Sequence, residues 1–456
     1  MTRRPLPIEP VSELGPLLRI AGPVVLAEIG WMGMGLVDTL FVGPLGPAAI
    51  AAVGMSSSVF TALAIFGMGL MLGLDTLVSH ATGAQRVDDG LDWLRHGLTL
   101  AVIVAPVVML AAAVAALTLG SWHLNADIAA LARPYLLVIT LSALPLLLYA
   151  ACRRYLQGMH AVAPVMAALL TANIVNAAAN AVLIYGRFGV PALGVTGSAW
   201  ATTIARVYMA AFLWLAIRRE HRRRGIEPGR IGLGRQPERL RRLLALGVPA
   251  AGQITLEVGV FTLATTFAAR LDTVQAAAHQ IALNIASVIF MVPLGLASSG
   301  AVRVGHAIGA DHIDRARRAG WTAITVGLVV MTVLGLLLFL APTPLLRPFT
   351  TDPAVLALGV RLLAVAAAFQ LFDGTQAIAT GVLRGIGDTR TPMAVNVVGH
   401  WLLGLPVGYL LCFNADWGVI GLWVGFLVGL ASVSVVLLYT WSRRTRPSTS
   451  GPAPRR

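Results

Sequence analysis

The sequence contains no lysine and few acids. Its 34 basic residues are all arginines, and they stand against 20 aspartates and glutamates. Charged residues make up 12% of the 456 positions, about half of their usual share in soluble domains. A soluble protein of this size needs more polar surface than this composition supplies, so a soluble fold is excluded. The only two cysteines, Cys152 and Cys412, lie in apolar surroundings, which excludes a disulfide framework and a cysteine metal site.

Apolar runs take the place of the missing charge, because 57% of the residues are hydrophobic. A run of about 20 apolar residues is long enough to cross a bilayer as a helix. The first run is too long for a signal peptide and has no small-residue cleavage site, so we count it as a span. We count twelve predicted spans, at 15–43, 50–82, 96–120, 130–158, 163–186, 194–217, 243–269, 276–309, 319–341, 353–385, 391–413 and 418–441. The predicted fold class is an all-α polytopic membrane protein.

The arginines indicate how the chain is oriented. A net charge of +14 also suits a nucleic-acid-binding domain, but such a domain carries its charge on a soluble face. Here the arginines concentrate in alternate loops, and ten of them lie between spans 6 and 7. The positive-inside rule then places both termini and this central link in the cytoplasm. We expect a multi-pass protein of the bacterial inner membrane that binds no nucleic acid.

The two halves of the chain are copies of each other. A shift of 226 residues pairs Pro23 with Pro249 and "HATGA" at 80–84 with "HAIGA" at 306–310. Each half has six spans, so both enter the membrane in the same orientation, as in transporters built from parallel repeats. We therefore predict a cytoplasmic N-terminus, a first lobe of six helices, an arginine-rich linker, a second lobe of six helices and a cytoplasmic tail, at 1–14, 15–217, 218–242, 243–441 and 442–456.

Acids inside spans are costly, and each is a candidate for function. The five are Glu28, Asp38, Asp75, Glu257 and Asp373. Asp75 lies near the end of span 2, where capping or snorkelling explains an acid as well as function does. Asp38 lies deep in span 1. It is matched by three amides at i, i+3 and i+7 on one face of span 5, which are Asn173, Asn176 and Asn180.

An aspartate that faces amides offers a site for a monovalent cation or a proton. The alternative is an asparagine ladder that only holds helices together by hydrogen bonds, and for Asn173 alone this alternative is preferred. In the second lobe four spans carry polar faces, most simply aimed at each other. Their residues are Gln253 and Glu257, Gln280 and Asn284, Gln370, Asp373 and Gln376, and Asn396 and His400. This cluster can hold a cation between two carboxylates, with His400 as a hydrogen-bonding partner.

The repeat also indicates that the two lobes do not share one site. Under the 226-residue shift Asp38 falls on Ala264, and Glu257 falls on Trp31. The two acids therefore lie seven residues apart in equivalent helices, roughly 10 Å along the axis.

Five segments resemble the multidrug and toxin extrusion (MATE) family and its NorM-like branch. They are "GMGLVDTLFVGPLG" (33–46), "LVSHATGAQ" (77–85), "NAAANAVLIYGRFGVPALGVTGSAWAT" (176–202), "QITLEVGVF" (253–261) and "FQLFDGTQAIATGVLRGIGDTRTPM" (369–393). The resemblance implies a cofactor-free, twelve-helix antiporter, here expected to be monomeric. It would export organic cations in exchange for Na⁺ or H⁺.

The resemblance also implies roles for single residues. Asp38 matches the first-helix aspartate of the family, with Asn176 and Asn180 as its partners. Glu257 and Asp373 match the second-lobe cation pair, a site for Na⁺ if sodium is the coupling ion. Pro23 matches a first-helix proline whose bending changes the cavity. We further expect the substrate cavity to be lined by Gln253, Gln280, Asn284 and Gln376.

Two departures from the family pattern leave the choice between Na⁺ and H⁺ open. Some relatives have a second carboxylate where Asn180 stands. Some also have a tyrosine four residues before the span-10 aspartate, where this chain has Phe369. Losing an oxygen ligand weakens the case for Na⁺ relative to a proton.

Two other functions are considered as alternatives. A lipid-linked oligosaccharide flippase of related architecture should expose arginines to its anionic substrate, whereas the mid-span charges here are mostly acidic, with Arg206 as the exception. An integral-membrane enzyme needs a nucleophile or metal constellation, and neither HExxH nor GxSxG occurs in the sequence. An antiporter is therefore the preferred reading.

Overall fold

The apolar runs fold into helices because lipid offers no water to the backbone, and a helix satisfies its polar groups internally. A computed structural model describes residues 13–122, 125–226 and 232–446. Within these ranges eleven helical stretches are long and apolar enough to span a membrane, and one bent helix pair makes a twelfth. The prediction of an all-α protein with twelve spans is confirmed. Most of the predicted N-terminal stretch 1–14, residues 227–231 of the linker and most of the tail 442–456 lie outside the described residues.

Among its described residues the first lobe contains eight α-helices. They are α1 (Leu14–Val42), α2 (Pro47–Leu70), α3 (Gly73–Gly83), α4 (Val87–Thr118), α5 (Ala126–Thr140), α6 (Ala143–Gly158), α7 (Ala163–Leu183) and α8 (Val195–Arg223). Helices α2 and α3 form one span. Helices α5 and α6 form another, and they are bent by 47° at a break that contains Ser142.

The second lobe repeats this order. Its helices are α9 (Pro237–Ala268), α10 (Thr273–Gly309), α11 (Ile313–Leu340), α12 (Pro342–Leu346), α13 (Pro353–Gly385), α14 (Arg390–Asn396), α15 (Leu405–Tyr409) and α16 (Val419–Arg444). Two π-helical segments, Val397–Gly404 and Leu410–Asn414, flank α15 and complete one span with it. A π-helix is rare and is often found near functional residues.

One backbone detail shows how closely the lobes repeat. Helix α8 begins after Gly194 with φ 55° and ψ −133°, and α16 begins after Gly418 with φ 56° and ψ −142°. This region of backbone space is essentially open to glycine alone. Both lobes therefore start their last helix with the same glycine-dependent turn.

The lobes pack against each other at one face of the membrane. An even number of spans places the start of α1 and the end of α16 at the same face, which we call the terminal face. There the end of α2 lies on the start of α9, and the end of α10 lies on the start of α1. A methyl group at Gly69 would overlap Ala251, and one at Gly247 would overlap Leu70. Small residues thus allow the close approach of the helices, as is common between helices in membranes.

Much of the predicted arginine-rich linker between the lobes is helical in the described residues. Helix α8 continues to Arg223 and α9 begins at Pro237, so both ends of the expected linker extend membrane helices. Arg239 lies over the Trp93 ring at 5.0 Å, and its Nη2 donates to Asp89 at 2.8 Å. These contacts attach the start of the second lobe to the first.

Candidate functional site

The Asp38 carboxylate lies inside the first lobe, where three neutral side chains donate to it. Asn176 and Asn180 on α7 donate from Nδ2 to Oδ1 at 3.0 and 2.8 Å. Thr202 on α8 donates from Oγ1 to Oδ2 at 2.7 Å. All four side chains are buried, with Asp38 only 5% exposed. Three helices therefore converge on one carboxylate, which we call the Asp38 site.

The amide stripe of α7 divides into two parts. Asn180 also donates to Asn176 Oδ1 at 3.2 Å, so the two amides that contact Asp38 form one chain of hydrogen bonds. Asn173 instead donates to the backbone oxygens of Gly30 and Leu169, at 2.8 and 2.9 Å. It joins α7 to α1 without contacting Asp38, in line with its expected packing role.

Thr202 was not among the candidates that we derived from the sequence. It stands at the end of the "GSAWAT" segment, but a threonine in an apolar span resembles many others that only bond to their own helix. Only the crossing of α8 over α1 distinguishes it. Arg206 lies one turn further along α8 and is buried, and its Nη1 donates to Ser142 at 2.5 Å.

In the second lobe the structure brings Glu257 together with Gln376. Nε2 of Gln376 donates to Oε1 of Glu257 at 2.8 Å, which links α9 to α13. Asp373 lies one turn before Gln376 and within electrostatic range of Glu257. Gln253 lies one turn before Glu257 and is also buried. We call these four residues the Glu257 site.

The Glu257 site contains oxygen atoms that lack partners. Asp373 Oδ1 and Gln376 Oε1 are buried, and neither accepts a hydrogen bond from a described residue. Gln370 Oε1 on α13 and Asn396 Oδ1 on α14 are also buried and accept no hydrogen bond from a described residue. A buried acceptor without a donor is costly, and oxygen atoms are the ligands that a hard cation prefers. Among the described residues no group of three or more His, Cys, Asp or Glu side chains could hold a metal ion, so any cation here would also need amide or backbone oxygens.

Two of the four expected cavity residues, Gln280 and Asn284, lie outside the Glu257 site. Gln280 and Asn284 are exposed on α10 and contact each other at 3.3 Å, without contacting Gln253 or Gln376. Polar side chains on an exposed face of a membrane helix favour a water-filled space over lipid. The four expected residues therefore divide into a buried pair and an exposed pair.

Phe369 and His400 lie next to the polar residues of the second lobe, but their contacts are with other residues than those of the Glu257 site. Phe369 packs in an aromatic cluster with Phe261, Trp423 and Phe426, with ring centroids 5.3 to 6.3 Å from its own. Nδ1 of His400 bonds to the Asn396 carbonyl one turn earlier at 3.2 Å. Both side chains support the packing of helices around the Glu257 site.

The two remaining intramembrane acids are paired with arginines. Arg153 on α6 forms an ion pair with Glu28 on α1. Asp75 is fully buried between Arg154 of its own lobe, at 3.3 Å, and Arg384 of the other lobe, at 3.6 Å. Neither capping nor snorkelling accounts for Asp75, because its carboxylate is buried at the lobe interface. Sequence reasoning counted these arginines only as topology signals.

Two histidines at the terminal face bond across the lobe interface in a reciprocal way. Nε2 of His80 donates to the Gly385 carbonyl at 2.8 Å, and Nε2 of His306 donates to the Gly158 carbonyl at 2.7 Å. The repeat relates His80 to His306 by 226 residues and Gly158 to Gly385 by 227. We call these two bonds the reciprocal histidine contacts.

Further contacts at the same face surround the reciprocal pair. Glu13, just before α1, forms ion pairs with Arg303 and Arg315 of the second lobe. His160, in the turn between α6 and α7, stacks on His306 with ring centroids 3.8 Å apart. Burial and the neighbouring His306 and arginines lower the pKa of His160 to about 3, so its ring is neutral at physiological pH. The interface contacts described so far all lie in the half of the molecule that is nearest the terminal face.

Known proteins resemble this chain along nearly its whole length. The family model MatE matches residues 23–182 and 249–410, one segment in each half. The probable multidrug resistance protein NorM of Mesorhizobium japonicum is 36% identical over 452 residues, which is 95% of each chain. The multidrug resistance protein MdtK of Pectobacterium atrosepticum is 32% identical over 438 residues, 94% of this chain and 95% of its own. The crystal structure of the eukaryotic MATE transporter AtDTX14 has the same fold, with a TM-score of 0.86 at 21% identity over 95% of this chain and 97% of its own.

Proposed function

The chain belongs to the MatE family of membrane transporters, and from this premise we propose that it is a multidrug efflux antiporter. It exports small organic compounds, cationic ones in particular, in exchange for Na⁺ or H⁺. Members of the family are transporters and not enzymes, so the alternative of a membrane enzyme is set aside. The protein acts as a monomer in the bacterial inner membrane.

The observation that carries this proposal is the buried Asp38 carboxylate. An acid at this depth is costly to keep, and in membrane proteins such residues mark ion and substrate pathways. The Asp38 site meets that cost with two amides and a hydroxyl, which keep the carboxylate hydrogen-bonded in its ionised form. A negative interior also attracts cationic substrates.

Exchange follows if substrate and ion favour different states of the protein. A ligand shifts a conformational equilibrium only by the difference in its affinity for the two states. When an ion or a proton reaches Asp38 its charge is cancelled, and the attraction for a cationic substrate falls. The Glu257 site provides a second place for the same exchange through Glu257 and Asp373.

Helix α1 can transmit the charge of Asp38 to the cavity. Pro23 lies fifteen residues before Asp38 and has no N–H for the carbonyl of Arg19, so the helix can bend there at little cost. We infer that neutral Asp38 favours a bent α1 and a smaller cavity, and that ionised Asp38 favours the straight helix. Bending then expels the substrate.

The direction of transport depends on which face is closed. We propose that the terminal face is cytoplasmic, since the arginines concentrate in its loops. The packed interface at that face then closes the cytoplasmic entrance, and Gln280 and Asn284 line a cavity that is open to the periplasm. A reporter fused after Arg446 should be active in the cytoplasm, and periplasmic activity would overturn the orientation.

A lipid-linked oligosaccharide flippase is disfavoured by the arginines of the interior. An anionic pyrophosphate lipid needs arginines that are free to bind it. Arg153, Arg154 and Arg384 instead pair with carboxylates of this chain, and Arg206 is buried and donates to Ser142.

The direct test is transport in liposomes. The purified protein should move ethidium against its gradient when a pH gradient or a Na⁺ gradient is imposed, and it should stop when the gradient is collapsed. Empty liposomes and liposomes with heat-inactivated protein are the controls. Transport of a pyrophosphate lipid without ethidium transport would favour the flippase instead.

A further inference from the structure

Two ion pairs at the terminal face cross the lobe interface at positions that the repeat relates. In one, Nη2 of Arg239 at the start of α9 lies 2.8 Å from Oδ1 of Asp89 at the start of α4. In the other, Nε of Arg315 at the start of α11 lies 3.1 Å from Oε1 of Glu13, just before α1. The 226-residue shift takes Glu13 to Arg239 and Asp89 to Arg315. The two ion pairs are therefore one contact made twice, with acid and base exchanged.

The neighbours of both ion pairs follow the same exchange of charge. Asp92 lies 3.7 Å from Arg239 and corresponds to Arg318 in the repeat. Leu77 corresponds to Arg303, which also forms an ion pair with Glu13. In these contacts the first half of the chain contributes the acids and the second half contributes the arginines.

The buried ion pair of Asp75 with Arg384 has the same polarity. Its acid belongs to the first lobe and its arginine to the second, 3.6 Å apart. The repeat-related residues are Ala301 and Gln157, which carry no charge. This contact therefore exists on one side of the interface only, and it too distinguishes the first lobe from the second.

The uncharged contacts at this face do not distinguish the lobes. The reciprocal histidine contacts are the same in both directions. So is the close packing of two repeat-related glycines, because a methyl group at Gly83 would overlap the His306 carbonyl and one at Gly309 would overlap the His80 carbonyl. Surfaces that make the same contacts in both directions are self-complementary. These contacts alone would also accept a second copy of either lobe.

The charges would reject such a copy. If a first lobe paired with another first lobe, Asp89 would face Glu13 in both contacts. If a second lobe paired with another second lobe, Arg315 would face Arg239 in both contacts. Like charges that meet in an interface are unfavourable and suppress wrong partners. Partly exposed ion pairs add little to stability, so the main effect of this arrangement is on the choice of partner.

We propose that the exchanged charges select the partner of each lobe, so that a first lobe closes on a second lobe and rejects a copy of itself. The selection matters during synthesis, because the N-terminal domain of a chain folds first. A first lobe then has its interface uncovered until a second lobe is made. Without the acids, its glycines and histidines would allow it to pair with another uncovered first lobe. The selection acts on assembly and is independent of the transport activity.

The first test exchanges one ion pair in the full-length protein. Asp89→Arg alone brings a second arginine to Arg239, and Arg239→Glu alone brings a third acid to Asp89 and Asp92. Each should lower the melting temperature by about 2 to 4 °C, and the double variant should regain most of the loss. Glu220→Arg/Arg224→Glu is the matched control, because it exchanges an ion pair within α8. Additive losses in Asp89→Arg/Arg239→Glu would overturn the proposal.

The second test measures the choice of partner. Asp89→Arg/Arg239→Glu gives the first half of the chain an arginine at position 89 beside the unchanged Glu13, and these are complementary between two copies. Full-length chains that carry two different affinity tags are expressed together and purified on one tag. Wild-type and control chains should not copurify, whereas the double variant should retain several-fold more of the second tag. Copurification of the double variant at the wild-type level would overturn the proposal.

A last variant separates complementarity from damage to the interface. It adds Glu13→Arg, Arg303→Leu and Arg315→Glu to the double exchange, where leucine is the residue at the repeat-related position of Arg303. The first half then carries the arginines and the second half the acids, so both lobes reject their own copies again. Copurification should return to the wild-type level although more residues are changed. A level as high as in the double variant would attribute copurification to damage and overturn the proposal.

Discussion

In the first lobe the central carboxylate accepts three hydrogen bonds and only the Asn180 oxygen beside it lacks a donor, whereas in the second lobe four buried oxygens around the carboxylates lack donors among the described residues. Asp38 accepts three hydrogen bonds from neutral side chains. Glu257 accepts a hydrogen bond from Gln376, and no described residue donates to Oδ1 of Asp373. The repeat that places the helices alike therefore does not make the sites alike.

The balance of charge differs in the same way. Glu28 and Asp75 of the first lobe each form an ion pair with an arginine, and Arg206 lies one helical turn beyond Thr202, which donates to Asp38. Neither Glu257 nor Asp373 has an arginine within salt-bridge distance among the described residues. The two lobes therefore differ in how the charges of their buried acids are compensated. One duplicated scaffold thus carries two electrostatic designs.

The largest effect is expected from Asp38→Asn. It removes the charge for which, in the proposed function, the substrate and the ion compete. Ethidium resistance of an efflux-deficient host should therefore fall at least about tenfold, toward the level without the protein. Binding of lipophilic cations to the purified variant should weaken as well. Asn173→Ala is the matched control, because it removes an amide of the same helix that does not contact Asp38. Wild-type resistance from normally expressed Asp38→Asn would leave the Glu257 site as the only coupling site.

Glu257→Gln should also abolish ion-coupled export, but with the opposite effect on stability. Gln keeps an oxygen for the bond from Gln376 and removes one of two like charges, so the free energy of unfolding should hold or rise by about 1 kcal/mol. Asp38→Asn should lose about 1 to 3 kcal/mol, because a neutral amide replaces the charged acceptor of three hydrogen bonds. Thermal melting of both purified variants measures this contrast. Equal changes would mean that the lobes do not differ in charge balance, and full transport by Glu257→Gln would remove that residue from the mechanism.

A smaller effect, and the same one in both lobes, is expected from the reciprocal histidine contacts. Replacing His80 or His306 by Leu removes one bond across the interface, which is worth about 1 kcal/mol and opens the terminal face about fivefold more often. The labelling rate of a cysteine placed at Ala81 reports the opening. His312→Leu is the control, because His312 is exposed at the same face. A response to only one of the two histidines would show that the lobes do not share the closure equally.

The smallest effect is expected from Phe369→Tyr, which returns a hydroxyl to the turn before Asp373. It should make Na⁺ binding about 1 kcal/mol more favourable, so the half-saturating Na⁺ concentration of efflux should fall about fivefold. The hydroxyl must leave the aromatic cluster around Phe261 to do so, which limits the gain. Titration of efflux against Na⁺ measures it. An unchanged Na⁺ response would mean that this position does not face the Glu257 site.

The sequence predicts the features that depend on local periodicity. Apolar run length indicates the spans, because the thickness of the bilayer sets a minimum length. The spacing of Asn176 and Asn180 places them on one face, and the structure turns that face toward Asp38. The same periodicity does not say which way a face points. It groups Gln280 with Asn284 correctly but gives no sign that they are exposed.

Contacts between distant segments cannot be read from periodicity. Asp75 and Arg384 stand 309 positions apart, and only the packing of one lobe on the other brings them within 3.6 Å. Thr202 reaches Asp38 for a similar reason, through the angle at which α8 crosses α1. The sequence gives one local indication of such contacts, which is an arginine inside a span. The charge of that arginine must be balanced by a residue nearby in the fold.

The reciprocal histidine contacts also determine what a genetic suppressor screen should find. Each histidine donates to a main-chain oxygen, at Gly385 or Gly158, and that oxygen is present whatever side chain stands there. No substitution at the acceptor restores a lost donor, so a damaged contact has no allele-specific suppressor at its partner position. A side chain at Gly158 would press on Val78, and one at Gly385 on Val304, both within the lobe of the glycine, so changes there displace the acceptor carbonyl of the same contact. The histidine and the glycine of one contact should therefore be epistatic, with a double variant no worse than either single variant.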